Sequence, residues 1–336
     1  MTKTNNTPEL FLYEDDKLSD GQISKIADEL IKNAKEADYC YLLLDLSLRD
    51  LSDLALENHV YAYIEDNYSK LQFIQFDHPM FNIQNVPVLL PFNLNEQIEI
   101  LKQLIQLSFQ KTRTKALLSG KGRAICGWLF SNEKIQDLSD YIANLCIQKH
   151  SMSFNYYLLR IYDPAVLSSL LSLILPQIKD KILSATTCWA VLNGDGVLEC
   201  YKAAKIRWEF VVHRLGLNNQ EMKDIANIGI ENQTLIKYRH KYKNQPRYHE
   251  AQAREHIRKA LLIANQYQLN DEQDKVLFAL HYLTIGSEFH RTPKVAALLK
   301  EKGTYYQKRV ASMTEEEWQV AKQQSQELKL GESYAL

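Results

Sequence analysis

A change of hydrophobic period near residue 202 constrains this chain more than any other feature. Before it, short apolar runs of strand length alternate with amphipathic helical segments. Tyr39–Leu46 reads as a buried strand, and His59–Glu65 is β-rich through Val60, Tyr61, Tyr63 and Ile64. Val86–Phe92 and Ile125–Phe130 are short strands, and Phe154–Tyr162 is a longer one. Thr186–Leu192 and Val197–Tyr201 form a hairpin over Asn193-Gly194-Asp195-Gly196. Asn-Gly and Asp-Gly supply the positive φ that tight hairpin turns require. Helical spacing joins Ile23, Ile26, Ala27, Leu30 and Ile31, then Ile98, Leu101, Leu104, Ile105 and Phe109, then Ile135, Leu138, Ile142 and Leu145. Ser131 or Asn132 is the expected cap of the third helix. The pattern predicts an α/β (α+β) N-terminal lobe with a mixed sheet, residues 1–205.

Beyond that point strands disappear. A helix begins in Ile206–Leu215, and Gly216 with Asn218-Asn219 interrupts it. Gln220–Tyr242, His249–Tyr267, Asp271–Phe289, Pro293–Lys302 and Thr314–Leu328 follow as helices. Asn270 is the expected cap of one. Thr292-Pro293 opens another, with proline at its first position, and Thr314 with Glu317 makes a capping box. Residues 206–336 are therefore expected to form an all-α C-terminal lobe. Only 11 Gly and 8 Pro in 336 residues suit a helix-rich chain. The length exceeds the roughly 250–300 residues at which a single core stops growing.

A net charge of -1 gives no global attraction to nucleic acid or anionic membrane. Charge is uneven locally. The first twenty residues carry Glu9, Glu14, Asp15, Asp16 and Asp20 against Lys3 and Lys17, whereas residues 231–260 carry eight Lys or Arg against three Glu. The polar start MTKTNNTPEL does not read as a signal peptide. The longest apolar run, Val166–Leu175, holds three serines and ends at Pro176, too short and polar to span a bilayer. Cys40, Cys126, Cys146, Cys188 and Cys200 are odd in number and form no CxxC pair, so reduced thiols are expected rather than a disulfide or zinc framework.

No chemical motif emerges. Gly120-Lys121-Gly122 lacks the spacing of a phosphate loop, and Gly194 and Gly196 turn a hairpin rather than open a nucleotide-binding helix. His249 and His256 stand seven apart, not at the i, i+4 spacing of metal-binding helices, so no metal and no cofactor are expected. There is no GxSxG elbow. An enzyme with a site that has no sequence signature stays open as an alternative, because acid–base sites need no motif.

The basic, aromatic stretch 237–258 is the strongest charge feature. It reads in three ways. It is a solvated helix whose tyrosines pack on a neighbour, or a docking surface for an acidic protein made by Arg239, Lys241, Tyr242 and Lys243, or a nucleic-acid surface in which aromatics stack bases between cations.

One segment has a clear local mechanism. In Tyr157-Leu-Leu-Arg160-Ile161-Tyr162-Asp163-Pro164-Ala-Val-Leu167 a strand runs to Tyr162 and a helix follows. Asp163 is its N-cap, and Pro164 fits the first helical position, where the missing N–H has no partner to lose. Strand alternation places Arg160 and Tyr162 on one face, with Arg160 set to pair with Asp163 or another acid.

This Arg160-Ile-Tyr-Asp-Pro164 junction resembles the signature of the type VI secretion effector chaperones, a strand ending in Arg-Phe-Tyr-Asp-Pro before a hydrophobic helix. Ile161 stands where Phe is usual, and Ser151-Met-Ser153 where a Gly-containing turn is common. Gly127-Trp-Leu-Phe-Ser131, Trp189 with Asn193–Gly196, the Tyr41–Asp45 strand, and Tyr267–Asn270 with Gly286–Phe289 and Pro293 are similar to further pieces of that family in the same order. The resemblance covers roughly residues 39–320. It implies a bacterial cytoplasmic, non-enzymatic adaptor that is not itself secreted. It implies two partners, the N-terminal segment of a secreted toxic effector and the valine-glycine-repeat (VgrG) spike protein. It implies that Arg160, Tyr162, Asp163 and Pro164 organise the lobe or contact the partner.

Overall fold

The computed structural model describes residues 10–11, 17–48, 55–76, 86–149, 156–204, 215–243, 245–301 and 303–334. The chain divides into two compact units, one of residues 15–226 and one of residues 1–14 with 227–336. Chain order begins with β1 (Leu10–Phe11), which belongs to the second, helical unit.

The sheet unit runs α1 (Asp20–Ala34), β2 (Tyr39–Leu44), α2 (Ala55–Asp66), β3 (Gln72–Phe73), β4 (Val88–Pro91), α3 (Ile98–Lys111), α4 (Thr114–Leu118), β5 (Ile125–Ser131) and α5 (Ile135–Cys146). It continues with β6 (Ile147–Lys149), β7 (Tyr156–Leu158), α6 (Pro164–Leu173), α7 (Pro176–Leu183), β8 (Cys188–Leu192), β9 (Leu198–Tyr201) and α8 (Asn219–Ala226). Six strands form one sheet in the order β3-β4-β2-β5-β8-β9, and β6 pairs with β7 apart from it. Every residue of β5 and β8 is buried, as are the last four of β2. Burial on both faces explains why these strands read as continuous apolar runs rather than as alternating ones.

The α+β character is as expected, but the sheet is antiparallel throughout and not mixed. The helical crossover through α3 and α4 links β4 to β5, and β2 lies between those two strands. Parallel strands therefore never become neighbours. His59–Glu65 is also not a strand: it lies in α2. Val60, Tyr61 and Ile64 are buried there while His59, Ala62 and Glu65 are exposed, a helical stripe made of residues usually enriched in strands. The expected strand to Tyr162 stops at Leu158. Its first residues, Phe154 and Asn155, lie outside the described residues, as do Ser151–Ser153 and nearly all of Ile206–Leu215.

Two expected caps shift, and one expected helix divides. Lys134, not Ser131 or Asn132, precedes α5. The Ser131 hydroxyl instead donates to the Ala185 carbonyl at 2.5 Å, and Asn132 Oδ1 accepts from Asp38 N at 3.0 Å. The helix expected over Gln220–Tyr242 breaks at Asn227, where one compact unit ends and the other begins. Asp271, one residue past Asn270, caps its helix by accepting from Gln273 N and Asp274 N at 2.9 and 3.0 Å.

The helical unit comprises β1, α9 (Ile228–Lys241), β10 (Arg247–Tyr248), α10 (Glu250–Gln266), α11 (Glu272–Thr284), α12 (Pro293–Lys300), α13 (Tyr306–Val310) and α14 (Glu315–Tyr334). Its core includes Leu235, Ile257, Val276, Phe278, Phe289, Val295 and Tyr306. The Asp274 carboxylate holds the start of α13 by accepting from Tyr306 N at 2.7 Å and Gln307 N at 2.9 Å. Thr314 and Glu317 form the expected reciprocal cap at 2.9 and 3.3 Å.

Candidate functional site

At the junction in the sheet unit, Asp163 accepts from Ala165 N at 3.0 Å and Pro164 occupies the first turn of α6. This is the local arrangement the sequence predicts. The side-chain geometry around it differs. Because β7 ends at Leu158, Arg160 and Tyr162 do not share a strand face. Tyr162 is buried and stacks on Phe76 at 6.2 Å, whereas the Arg160 side chain is 43% exposed. The Arg160 guanidinium reaches Asp45, not Asp163, at 3.3 Å, and lies 5.4 Å from the Tyr162 ring centre. Asp163 instead faces Arg123 at 3.6 Å.

Asp45 and Arg123 are the junction's ion-pair partners that sequence reasoning missed. Asp45 follows β2, is 2% exposed, and also accepts from Ser47 N at 3.1 Å and Ser47 Oγ at 2.5 Å. Arg123 precedes β5 with a φ of 62°. Two acids and two arginines thus alternate across the junction. Burial pushes the Tyr162 phenol up, and the Arg160 charge opposes the shift. Burial, then Asp45 and Asp163, push the Cys126 thiol up. Both stay protonated near neutral pH, so neither is an activated nucleophile. The cluster is a latch between the end of β2 and the start of α6.

Asp163→Ala is expected to destabilise the sheet unit by about 1 kcal/mol, and Asp163→Asn, which keeps a capping oxygen, by less. Thermal melts of the three chains check this. An unchanged melting temperature in Asp163→Ala, with partner binding lost, would replace the structural role by a contact role.

The basic stretch of the helical unit divides by residue type. Its arginines point inward. Arg239 is 6% exposed and pairs with Glu250. Arg254 donates to Glu250 Oε1 at 2.7 Å and approaches Glu231 Oε2 at 3.4 Å, and Arg258 donates to Glu231 Oε1 at 2.8 Å. The docking surface expected from Arg239, Lys241, Tyr242 and Lys243 therefore loses Arg239 to the interior. Paired burial is the way a buried guanidinium becomes affordable. Lys241 and Lys243 are exposed and Tyr242 is half-buried.

Tyr242 leads into the second feature of this unit. Tyr238, Tyr242, Tyr248, His256 and Tyr282 line a cavity of about 370 Å³. Their rings step along it: Tyr238 to Tyr242 at 5.0 Å, Tyr248 to His256 at 4.8 Å, His256 to Tyr282 at 6.2 Å. A neighbouring cavity of about 320 Å³ shares Tyr242, Thr284, Ile285 and Lys322 with it, and adds Lys241, His281, Trp318 and Glu315. The two adjoin at these shared residues as one groove lined from α9, β10, α10, α11 and α14. The Thr284 hydroxyl, in a residue 7% exposed, has no hydrogen-bond partner among the described residues and sits at the shared wall. Burial, then Lys241, pushes the His281 imidazole down to about 3. Burial first also holds His256 below the ordinary imidazole value. Both are neutral at pH 7, which leaves lysines as the groove's cations.

Among the described residues no cluster of three or more His, Cys, Asp or Glu is placed to hold a metal ion, and no helix is long and apolar enough to cross a membrane. No protein-family model, no curated protein and no solved structure matches the chain.

Proposed function

We propose that this chain is a non-enzymatic adaptor chaperone that captures the N-terminal segment of a type VI secretion effector and helps load it onto the VgrG spike protein. The observation that carries the proposal is the groove of the helical unit, with aromatic walls and lysines along it. Tyrosine and tryptophan offer large contact area for little lost rotamer freedom, and are enriched where proteins bind other proteins. The resemblance of Arg160–Pro164 to the effector-chaperone junction supplies the kind of client. The junction cluster organises the sheet unit, and the groove is the capture surface. A bacterial cytoplasmic location follows from the same reading.

The nucleic-acid alternative rests on the cations of the 237–258 stretch. Arg239, Arg247 and Arg254 are each under 10% exposed, which leaves Lys237, Lys241 and Lys243 as its exposed cations, fewer than the sequence alone offers a phosphate track. The test is capture with the tagged chain from the lysate of its native bacterium, read by mass spectrometry. The expected result is one large effector with the VgrG protein. Recovery of nucleic acid alone, or of neither partner, would overturn the adaptor reading.

A further inference from the structure

Leu10 and Phe11 of the N-terminus meet the basic stretch in the fold. β1 pairs antiparallel with β10, Leu10 opposite Tyr248 and Phe11 opposite Arg247. Tyr248 is also a wall of the aromatic groove, so the strand edge and the groove are continuous through one residue. Its backbone N–H donates to the Tyr238 hydroxyl at 3.0 Å, which fixes β10 against α9. In sequence, Leu10 and Phe11 stand between Glu9 and Glu14-Asp15-Asp16. The groove carries Lys241, Lys322 and Lys329 against one carboxylate, Glu315, and it contains the Thr284 hydroxyl, which has no partner among the described residues.

A two-residue pairing is short for a strand meant only to stabilise a fold. An edge that accepts an extended segment, beside pockets for side chains, is the geometry of peptide capture by strand addition. We infer that the β10 edge and the aromatic groove form one site for an extended peptide of adjacent apolar or aromatic residues flanked by acidic ones, and that β1 is its tethered occupant. A partner segment of this chemistry enters by displacing β1. The main-chain ladder supplies affinity, the tyrosine walls take a side chain, and Lys241 and Lys322 read the acidic flank. The tether keeps the site closed to weak ligands, because an intramolecular competitor acts at an effective concentration of order millimolar.

This inference deepens the adaptor reading, on which it rests for the nature of the client, but its chemistry is tested without one. The probe is a labelled peptide copying residues 7–16, Thr-Pro-Glu-Leu-Phe-Leu-Tyr-Glu-Asp-Asp. Its binding is measured by fluorescence anisotropy to the full chain and to the full chain carrying Leu10→Pro and Phe11→Pro, which prevent ladder pairing by β1. The variant is expected to bind the peptide about tenfold tighter or more than the unaltered chain does. Adding Lys241→Glu and Lys322→Glu, both at exposed positions, is expected to remove that gain, as is a peptide with its four acids changed to lysine. Equal binding to both chains, or none to a variant whose melting curve shows it folded, overturns strand displacement. If the proline variant does not fold, the unaltered chain and its Lys241→Glu, Lys322→Glu form decide, through hydrogen exchange at Leu10 and Phe11. Charge reversal is expected to speed that exchange about tenfold, and an unchanged rate overturns the site. Peptide binding without effector capture from the lysate would remove the adaptor reading alone. Effector capture with no peptide response would remove strand displacement alone.

Discussion

Glu231→Gln is expected to destabilise the helical unit by about 3–5 kcal/mol, the usual cost of breaking a buried ion pair from one side. Glu231 is 1% exposed and is shared by Arg254 and Arg258, while Glu250 serves Arg239 and Arg254. Removing Glu231 takes a carboxylate from both Arg254 and Arg258 and leaves Glu250 to serve Arg239 and Arg254. Desolvated cations with no counter-charge are far costlier than the pair is favourable. Denaturant unfolding followed by circular dichroism measures the loss. A second variant makes the argument sharper. Replacing Glu231, Arg254 and Arg258 together by leucine, methionine and leucine is expected to cost much less than Glu231→Gln alone, because no charge is left stranded. A loss below about 1 kcal/mol in Glu231→Gln would mean that water reaches the network and screens it as it does a surface pair.

Trp189→Ala is expected to cost the sheet unit about 3–5 kcal/mol, and Trp189→Phe under about 1.5 kcal/mol. Trp189 lies mid-strand in β8, opposite Leu129 on one side and Tyr201 on the other, and is 1% exposed. Alanine opens a cavity in a layer covered on both faces. Phenylalanine keeps most of the volume and also removes the indole N–H, which has no acceptor among the described residues. An orphaned buried donor costs about 1–3 kcal/mol, so its removal offsets part of the cavity term. The prediction bears on the family resemblance too. If Trp189 is a packing residue, the Phe variant retains client capture, and a folded Phe variant that captures nothing would place Trp189 in the interface. Melting curves with parallel pull-downs separate the two.

What was legible in the sequence was what neighbours along the chain decide. The β8–β9 hairpin is a local object: Asn193 Oδ1 accepts from Asp195 N and Val197 N, and Gly196 takes a φ of +77° where an added Cβ would meet Phe109. The Asp163-Pro164 helix start is equally local, and so is the Thr314–Glu317 cap. α2 was misread because β-branched and aromatic residues at helical spacing carry two signals at once, and tertiary burial chose between them. The site was harder. Arg160 meets Asp45 across 115 positions, and Arg258 meets Glu231 across 27. No composition argument distinguishes the arginines that turn inward from the lysines that stay at the surface, although a run of cations with glutamates one and several turns away was a hint of it.

The strand order also sets a timetable during synthesis. Tyr41 in β2 is flanked by Pro91 of β4 and Leu129 of β5, so a strand with four buried leucine and tyrosine residues is made before either neighbour. At about 5–20 residues per second on the ribosome, roughly 4–18 s pass between the emergence of Tyr41 and that of Leu129. Until β4 emerges, roughly 2.5–10 s after Tyr41, Tyr39–Leu44 is a hydrophobic strand with both edges open, and the edge that β5 will cover stays open to the end of the interval; such a segment aggregates or recruits holding factors. β1 waits longer still, because its partner Tyr248 belongs to the last third of the chain. The strand at the centre of the sheet's pairing is thus the one that needs shelter while the chain is being made.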